Sequence, residues 1–182
     1  MTSFDRTELD DMARRWLAAN REAERIGDWR QLARFYTDDA TYGWNVGTQG
    51  DVMCVGVDEI REIALGREMD GLLGWHYPYE RVLIDEAAGE LVGFWKQIVT
   101  LPDGSSREVH GLGASWFGYA GNGKFAWQRD VFDRVHVTNV FAELISTGML
   151  TPQMQARINR SSSDAPLGYY PLGQTPAPLW PE

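Results

Sequence analysis

One aspartate lies in a segment whose other residues favour a β-strand, and its position suits it to acid–base chemistry. The segment Phe125–Asp133 reads F-A-W-Q-R-D-V-F-D and is rich in aromatic and β-branched residues, which favour strands. Directly before it, Gly121-Asn122-Gly123 contains Asn-Gly, the strongest short signal for a β-hairpin. Because strands disfavour aspartate, the presence of Asp130 here requires an explanation.

Two explanations for Asp130 are open at this point. Alternate residues of a strand share a face, so Gln128, Asp130 and Phe132 face one side of the sheet and the residues between them face the other. Asp130 could lie at a solvated sheet edge, or pair with an arginine such as Arg107. Alternatively, it is a general base at the bottom of an apolar cavity, where burial raises its pKa towards working pH.

Composition and charge argue against several classes of function. The 182 residues suffice for one well-buried domain, and the eight Trp predict an aromatic-lined interior or cavity. The net charge of −9 argues against nucleic acid and anionic membranes as partners. The lone Cys54, an acidic N-terminus unlike a signal peptide, and the lack of a membrane-length apolar window predict a cytoplasmic protein.

The first third of the chain predicts helices around one strand. Residues 5–26 carry apolar side chains at helical spacing. Asn20 falls on this apolar stripe, where it is either a core amide or a polar group presented to a cavity. A short helix, Trp29–Tyr36, follows, then a strand-like run at 40–44, and a further helix begins near Val57.

The segment from Trp75 to Arg134 predicts a series of strands separated by turns. An antiparallel meander that follows three helices is typical of an α+β fold. The predicted strands are 77–84, 91–101, 107–119 and 124–134.

Beyond the strands, the sequence predicts short helices and an irregular tail. One helix covers Thr138–Ile145, and Thr151-Pro152 begins another. Residues 161–182 are rich in Ser, Pro and Gly, which predicts an extended or disordered arm. Four apolar residues of the tail could pack on a partner subunit: Tyr169, Tyr170, Leu172 and Trp180.

The order of these elements resembles the nuclear transport factor 2-like superfamily. The resemblance covers roughly residues 8–136 and includes F-Y-T-D-D-A-T at 35–41 and W-x-R-D-x-F-D at 127–133. The superfamily holds ketosteroid isomerases, SnoaL-type polyketide cyclases, limonene epoxide hydrolases and scytalone dehydratases. It implies a cone-shaped curved sheet and helices around one apolar cavity, here a SnoaL-like cone domain at 5–136, a helical extension at 137–160 and the tail at 161–182.

Limonene epoxide hydrolases carry W-R-D-Y-F-D in the last strand, and its first Asp is the water-activating base. The similar run at 127–133 has one residue inserted after Trp, and Asp130 takes the place of that base. SnoaL-type cyclases also use an Asp in the last strand as base. Tyr42 matches a Tyr in the first strand of limonene epoxide hydrolases that helps to hold the attacking water. The Arg-x-Asp acid pair is absent, because residues 94–96 read F-W-K, and this argues against epoxide opening.

Two other members of the superfamily match only in part. Where ketosteroid isomerases have a base in the first strand, this chain has Trp44, and their oxyanion-hole Tyr and Asp are Asn20 and Ser115 here. Steroid isomerisation by that mechanism is therefore not supported. Scytalone dehydratase-like enzymes use a His at the start of the first meander strand, which His76 resembles, and Glu24 lies beside the position of its helical Asp partner.

The resemblance and the strand pattern together define a candidate site. Asp130 is the expected base, and Tyr42 and His76 are expected to orient the substrate or donate a proton. Either Lys96 or Gln97 faces the cavity, and the alternation of the strand does not decide which. The expected substrate-binding residues are Trp16, Asn20, Trp44, Trp95, Gln97, Ser115, Gln128 and Phe132.

No metal site is expected, because the three His are scattered and the sequence has neither H-x-x-x-H nor a Cys pair. His110 is expected to point outward. The sequence thus predicts a cofactor-free enzyme in which an Asp base acts on a hydrophobic cyclic small molecule. Isomerisation, elimination or cyclisation is the first reaction class, and epoxide hydrolysis is the second.

A different class of function also fits the fold. The chain could be a non-catalytic ligand binder, or an assembly module like the small subunits of ring-hydroxylating oxygenases, which share this fold. The resemblance also implies a homodimer.

Overall fold

The computed structural model describes residues 4–46, 50–161 and 167–181. The helical elements are α1, Arg6–Ile26; a 3₁₀ helix, Arg30–Phe35; α2, Val57–Glu59; a π-helix that continues it, Ile60–Arg67; α3, Arg134–Thr147; and α4, Pro152–Ser161. The strands are β1, Tyr36–Asn45; β2, Asp51–Val55; β3, Trp75–His76; β4, Tyr79–Asp85; β5, Glu90–Thr100; β6, Ser106–Gly121; β7, Lys124–Phe132; and β8, Tyr169–Tyr170.

The strands of the described residues form one strongly curved sheet in the order β3-β5-β6-β7-β1-β2-β8, with β4 also paired to β5. Strands β4 to β7 are the predicted antiparallel meander. β1 pairs with β7 in parallel, which joins the first strand of the chain to the last strand of the meander. The predicted α+β fold with a curved sheet and helices is confirmed.

α1 has the polar ends and the apolar face that a helix packed on a sheet requires. The Asp5 carboxylate accepts a hydrogen bond from the Thr7 N–H at the start, and Gly27 ends the helix in the left-handed conformation, φ 72°. The buried face carries Leu9, Met12, Trp16, Ala19, Asn20 and Ala23. Burial of this face fixes α1 against the concave side of the sheet.

Two predicted elements differ in detail from those observed. The helix expected over Trp29–Tyr36 is a 3₁₀ helix that ends at Phe35, and Tyr36 is already the first residue of β1. The helix expected near Val57 begins there but changes at Ile60 to the wider π form, an arrangement often found at functional sites. Both differences affect residues that surround the cavity described below.

Two glycines of β6 let large aromatic rings lie flat on the sheet. Gly113 is opposite Trp95 of β5, and a Cβ at Gly113 would lie 2.1 Å from Trp95 Cζ3. Gly118 is opposite Trp127 of β7, and a Cβ there would lie 2.2 Å from the indole. The glycines therefore set the position of each tryptophan.

The described part of the C-terminal tail packs on its own chain. Tyr169–Tyr170 form β8 and pair antiparallel with β2. The backbone carbonyls of residues 178–179 accept hydrogen bonds from the buried Arg129 guanidinium, both at 2.8 Å. Trp180 lies edge-on to Trp116, with ring centroids 5.3 Å apart. The predicted extended arm is thus an additional edge strand of the sheet, β8, followed by a segment that lies on the outer side of the sheet.

Two apolar clusters make up the core. The larger one lies between α1, the 3₁₀ helix, the π-helix and the sheet, and the smaller one lies where α3 and α4 meet β3, β5 and β6. Within the described ranges, no helix combines the length and the apolar character needed to cross a membrane.

Candidate active site

A cavity of about 160 Å³ lies between the concave face of the sheet and the helices. Aromatic and aliphatic side chains form most of its wall: Trp16, Trp29, Leu32, Tyr42, Trp44, Ala64, Leu65, Met69, Leu72, Trp75, Tyr77, Tyr79, Trp95, Phe132, Val137 and Phe141. The remaining wall residues are polar or charged: Asn20, Glu68, Gln97, Ser115, Gln128, Asp130 and Arg157. An apolar cavity with few polar groups is typical of a small-molecule site.

Asp130 presents its carboxylate to this cavity and is held by two hydrogen-bond donors. The Tyr42 hydroxyl donates to Oδ2 at 2.5 Å, and the Gln128 side-chain amide donates to Oδ1 at 2.7 Å. Ser115, opposite Asp130 on β6, adds a weaker interaction with the carboxylate. These bonds fix the orientation of the carboxylate and leave its accessible edge facing the cavity.

The register of three strands brings these groups together. β7 lies between β6 and β1, so that Asp130 is opposite Ser115 on one side and Trp44 on the other. Tyr42 is paired with Gln128, two residues before Asp130. Side chains two residues apart share a face, so all of these groups point towards the concave side of the sheet.

Burial dominates the electrostatics of Asp130. Desolvation raises the pKa of its carboxyl, and the interactions with Tyr42, Gln128 and Ser115 lower the pKa only in part. Among the described residues, no ion pair includes Asp130. A carboxylate that is desolvated and lacks a cationic partner is a stronger base than an exposed one.

The phenols around Asp130 remain protonated and serve as donors. Burial raises the pKa of Tyr36 and Tyr42 well above the usual value, and the nearby charge of Asp130 raises both further. Burial also raises the pKa of Tyr77 and Tyr79, again with a smaller contribution from Asp130. No phenol here competes with Asp130 as the base.

Ser115 Oγ connects several side chains of the cavity wall. The Trp95 indole N–H donates to Ser115 Oγ at 3.0 Å, and the Tyr79 hydroxyl lies 3.4 Å from the same atom. An indole can only donate, so Ser115 Oγ is the acceptor in its bond with Trp95.

A second polar group lies in the wall where the C-terminal helices meet the π-helix. Glu68 and Arg157 both line the cavity, and Arg157 Nη2 lies 3.6 Å from Glu68 Oε2. Arg157 also donates to the backbone carbonyl of Glu68, and the Tyr169 hydroxyl hydrogen-bonds to the Glu68 carboxylate. This cluster joins α4 and β8 to the end of the π-helix.

Solved structures share this architecture, whereas no protein-family model and no curated protein matches the sequence. A nuclear transport factor 2-like protein of Anabaena variabilis ATCC 29413 is 18% identical with a TM-score of 0.55, and the match covers 73% of this chain and 95% of that one. A protein of Jannaschia sp. CCS1 named as a SnoaL-like polyketide cyclase is 12% identical with a TM-score of 0.54, covering 76% of this chain and 95% of that one. The chain has the nuclear transport factor 2-like fold.

A third solved structure with the nuclear transport factor 2-like fold is that of SalBIII, an epoxide hydrolase/cyclase-like enzyme with a role in pyran ring formation in the polyether salinomycin. It is 13% identical to this chain with a TM-score of 0.54, and the match covers 72% of this chain and 95% of SalBIII. At this level of identity, the similarity establishes the fold alone.

All but one of the predicted site residues line the cavity of this nuclear transport factor 2-like fold. Asp130 and Tyr42 lie in its wall, as do all eight expected substrate-binding residues: Trp16, Asn20, Trp44, Trp95, Gln97, Ser115, Gln128 and Phe132. His76 is not part of the wall. Its imidazole Nδ1 lies 3.9 Å from Glu24 Oε2, and its side chain is 43% exposed. The structure thus gives His76 no position from which to donate a proton into the cavity.

The structure shows which residues of β5 and β6 face the cavity. Gln97 and Trp95 face the cavity, and Lys96 lies on the outer side, 3.2 Å from Glu108. His110 is exposed, does not line the cavity, and borders a surface groove together with His136 and Asn139 of α3. Within the described residues, no group of three or more His, Cys, Asp or Glu side chains could hold a metal ion.

Sequence reasoning missed much of the cavity wall, and it also missed Tyr36 behind the wall. Tyr36 was assigned to the end of a helix, although the β-propensity of the run that it begins could have placed it in β1. Glu68 and Arg157 lie outside any recognisable motif. Arg157 belongs to α4, beyond the predicted end of the cone domain at residue 136, and its role in the wall follows only from the packing of α3 and α4.

Proposed function

We propose that this chain is a cofactor-free enzyme that uses Asp130 as a general base on a small hydrophobic ring compound. The observation that carries the proposal is the environment of the Asp130 carboxylate. It faces an aromatic cavity, is oriented by hydrogen bonds from Tyr42 and Gln128, and has a pKa raised by desolvation. Groups perturbed in this way concentrate at catalytic sites.

Removal of a proton from a carbon next to a ring carbonyl is the reaction that this arrangement favours. Asp130 would take the proton, and the electron pair would move to the carbonyl oxygen, which needs a donor in the wall. The Tyr77 phenol and the Gln97 carboxamide line the same cavity and can supply that donor. Isomerisation, elimination and cyclisation all begin with this step.

The cavity volume and lining favour a compact apolar substrate. The volume of about 160 Å³ is close to that of an engineered protein cavity, about 150 Å³, that holds benzene. Aromatic side chains such as Trp29, Trp44 and Trp95 form flat walls on which a ring can stack. We therefore propose compounds of one ring as the substrates.

Epoxide hydrolysis is the second candidate reaction. The 2.5 Å hydrogen bond between Tyr42 and Asp130 supports it, because a base and a hydroxyl side by side can hold a water for attack. The similarity of the fold to that of SalBIII also supports epoxide hydrolysis. The acid that would protonate the epoxide oxygen is missing from β5, however, where Trp95 occupies the wall. For this reason we place hydrolysis second.

The test is the substitution Asp130→Asn, which keeps the shape of the side chain and removes the base. General base catalysis contributes about 10²–10⁴-fold, so the rate at which the protein exchanges ring-ketone α-protons for deuterium in D₂O should fall by about that factor. NMR spectroscopy of single-ring ketones and enones measures the exchange, and the same assay with ring epoxides detects diol formation.

A matched control is Asp133→Asn, the same change three residues away at the exposed start of α3, which should leave exchange unaltered. The proposal fails if Asp130→Asn retains the exchange rate of the parent protein. It also fails if the parent protein binds ring compounds without any exchange or hydrolysis, which would favour a non-catalytic ligand binder.

A further inference from the structure

Behind the donors to Asp130 lies a residue that the cavity does not reach. Tyr36, the first residue of β1, has no exposed surface and is absent from the cavity wall. Its hydroxyl makes a short hydrogen bond with Gln128 Oε1. Gln128 in turn donates through Nε2 to Asp130 Oδ1 at 2.7 Å. The phenol, the amide and the carboxylate thus form a chain of two hydrogen bonds.

The chemistry of these groups determines the direction of both bonds. A carboxylate can only accept, so the NH₂ end of the Gln128 amide must face Asp130 and its oxygen must face the other way. Tyr36 meets that oxygen with a hydroxyl that burial keeps protonated, since burial raises the pKa of Tyr36 well above the usual value. A protonated phenol donates to the amide oxygen and therefore stabilises only one of the two orientations of the amide.

We propose that Tyr36 is a positioning residue that fixes the Gln128 amide so that its N–H group, and not its oxygen, faces the Asp130 carboxylate. This inference rests on the proposed function, because it assigns Tyr36 a role in maintaining the base. Tyr36 acts through Gln128 and touches neither substrate nor the reacting atoms. Its ring is held for this purpose between Trp16, edge-on at 6.0 Å, and Tyr42, stacked at 6.2 Å.

Without the Tyr36 hydroxyl, the amide oxygen of Gln128 has lost its donor, and the side chain is no longer held in the position from which its N–H reaches Asp130. The ionised form of Asp130 then loses part or all of its hydrogen bond from Gln128. The phenols near Asp130, Tyr42, Tyr77 and Tyr79, stay neutral and do not offset this loss. Glu68 and Arg157 lie in the same cavity wall but do not contribute to the shift of the Asp130 pKa. The ionised carboxylate therefore becomes less stable.

The experiment measures the pKa of Asp130 directly in the apo protein by ¹³C NMR of labelled aspartate. In Tyr36→Phe, the pKa of Asp130 should rise by about one unit, the shift expected for a hydrogen bond to a charged group. In Gln128→Leu it should rise by at least as much. In the double variant Tyr36→Phe/Gln128→Leu it should equal the value in Gln128→Leu, because Tyr36 acts only through Gln128.

Tyr119→Phe is the matched control. It also removes a buried tyrosine hydroxyl, one that is bonded to Glu8, and it should leave the pKa of Asp130 unchanged. The inference is overturned if Tyr36→Phe does not raise the pKa, or if the shifts of Tyr36→Phe and Gln128→Leu add in the double variant. A second measurement needs no variant: the side-chain amide protons of Gln128 in the parent protein should shift as Asp130 titrates, and an unshifted amide contradicts the inference.

The same titration separates this inference from the proposed function. If Asp130 has an ordinary pKa in the parent protein, the proposed general base is lost, whatever Tyr36 does. If the pKa is raised in the parent and Tyr36→Phe leaves it unaltered, only the role of Tyr36 is lost. In active preparations, Tyr36→Phe should also move the acidic limb of the kcat profile to higher pH with little change in KM.

Discussion

At the scale of single residues, the site consists of the Asp130 carboxylate and the side chains that donate hydrogen bonds to it. The Trp95 indole donates to Ser115 Oγ, and the phenol of Tyr42, which donates to Asp130, is too buried to ionise. Each donor stabilises the anion, and desolvation works against them. The carboxylate is thus precisely oriented and still basic, which is the combination that general base catalysis requires.

The raised pKa of Asp130 makes the stability of the fold depend on pH in a defined direction. Unfolded aspartate ionises near pH 4, whereas in the folded state Asp130 ionises at a higher pH. Between these two values the folded state binds more protons than the unfolded state, so the free energy of unfolding falls as pH rises. Denaturant unfolding of the parent and of Asp130→Asn between about pH 4 and 8 measures this slope.

The expected result is a smaller loss of stability with rising pH in Asp130→Asn than in the parent, because the asparagine does not titrate. Activity should show the opposite trend and rise with pH as Asp130 ionises. Parallel stability curves for the two proteins would show that Asp130 ionises normally in the folded state.

Asp130 was predicted from the alternation of β7 and the motif at 127–133, which are local signals, and Tyr42 was predicted from the resemblance to limonene epoxide hydrolases. Tyr36 could not be recognised as a partner of Gln128, because that contact depends on the parallel register of β1 with β7, and no sequence pattern indicates it. His76 was chosen for its ability to titrate, but β3 is only two residues long and its other member, Trp75, is the one that lines the cavity.

At the scale of secondary-structure elements, the close pairing of glycines with aromatic residues controls the shape of the cavity. Trp95 lies over Gly113 in the neighbouring strand and from there donates to Ser115. The position of the indole therefore depends on the absence of a side chain at Gly113. Gly113, which has no side chain, thus determines whether Trp95 can donate a hydrogen bond to Ser115.

Replacement of Gly113 by alanine should destabilise the protein and disturb the site. The new Cβ would lie 2.1 Å from Trp95 Cζ3, so the indole must move away from Ser115. Overpacking of this kind costs about 1–3 kcal/mol. Denaturant unfolding checks the magnitude, and the second substitution Trp95→Phe should recover part of the loss. A stability equal to that of the parent would show that the sheet has room for the methyl group.

The helices α3 and α4 close part of the cavity. Val137 and Phe141 of α3 and Arg157 of α4 lie in its wall, and the Phe141 ring stacks on Trp75 at 5.3 Å. The sequence predicted helices here but gave them no part in the site, because helical periodicity does not reveal which surface a helix will contact. The C-terminal extension therefore forms part of the cavity wall.

Phe141→Ala should enlarge the cavity and change its preference among ligands. Loss of the ring removes one wall next to Trp75, so we expect two-ring compounds to bind more tightly relative to one-ring compounds than they do in the parent. Isothermal titration calorimetry measures the ratio of the two affinities. Ile145→Ala, on the exposed side of the same helix, is the control. An unchanged ratio would mean that α3 does not limit the size of the ligand.

At the scale of the whole molecule, the C-terminal tail is held by a buried cation. The Arg129 guanidinium is 5% exposed and donates to carbonyl groups of Thr41, Gln128 and residues 178–179. Burial lowers the pKa of Arg129 to about 10, which leaves it charged at neutral pH. The Ser, Pro and Gly content of the tail predicted an irregular arm but not this attachment, which depends on partners far away in the sequence.

Arg129→Met should release the end of the tail while the rest of the fold persists. Methionine fills part of the space but cannot donate, so the carbonyl groups of residues 178–179 lose their partners. Hydrogen–deuterium exchange with mass spectrometry should show faster exchange in residues 167–181. Arg107→Met, which removes an exposed arginine paired with Glu143, is the control. Unchanged hydrogen exchange in residues 167–181 would show that the pairing of β8 with β2 holds the tail without Arg129.

The parallel pairing of β1 with β7 has a consequence for how the protein is made. Tyr42 and Asp130 are 88 positions apart, and a ribosome adds about 5–20 residues each second. For several seconds the first strand has been synthesised while its neighbour has not, and one of its edges lacks a partner. The site forms only when β7 pairs with β1. A nascent chain that stops before Lys124 therefore contains Tyr42 but not the Asp130 carboxylate that accepts its hydrogen bond.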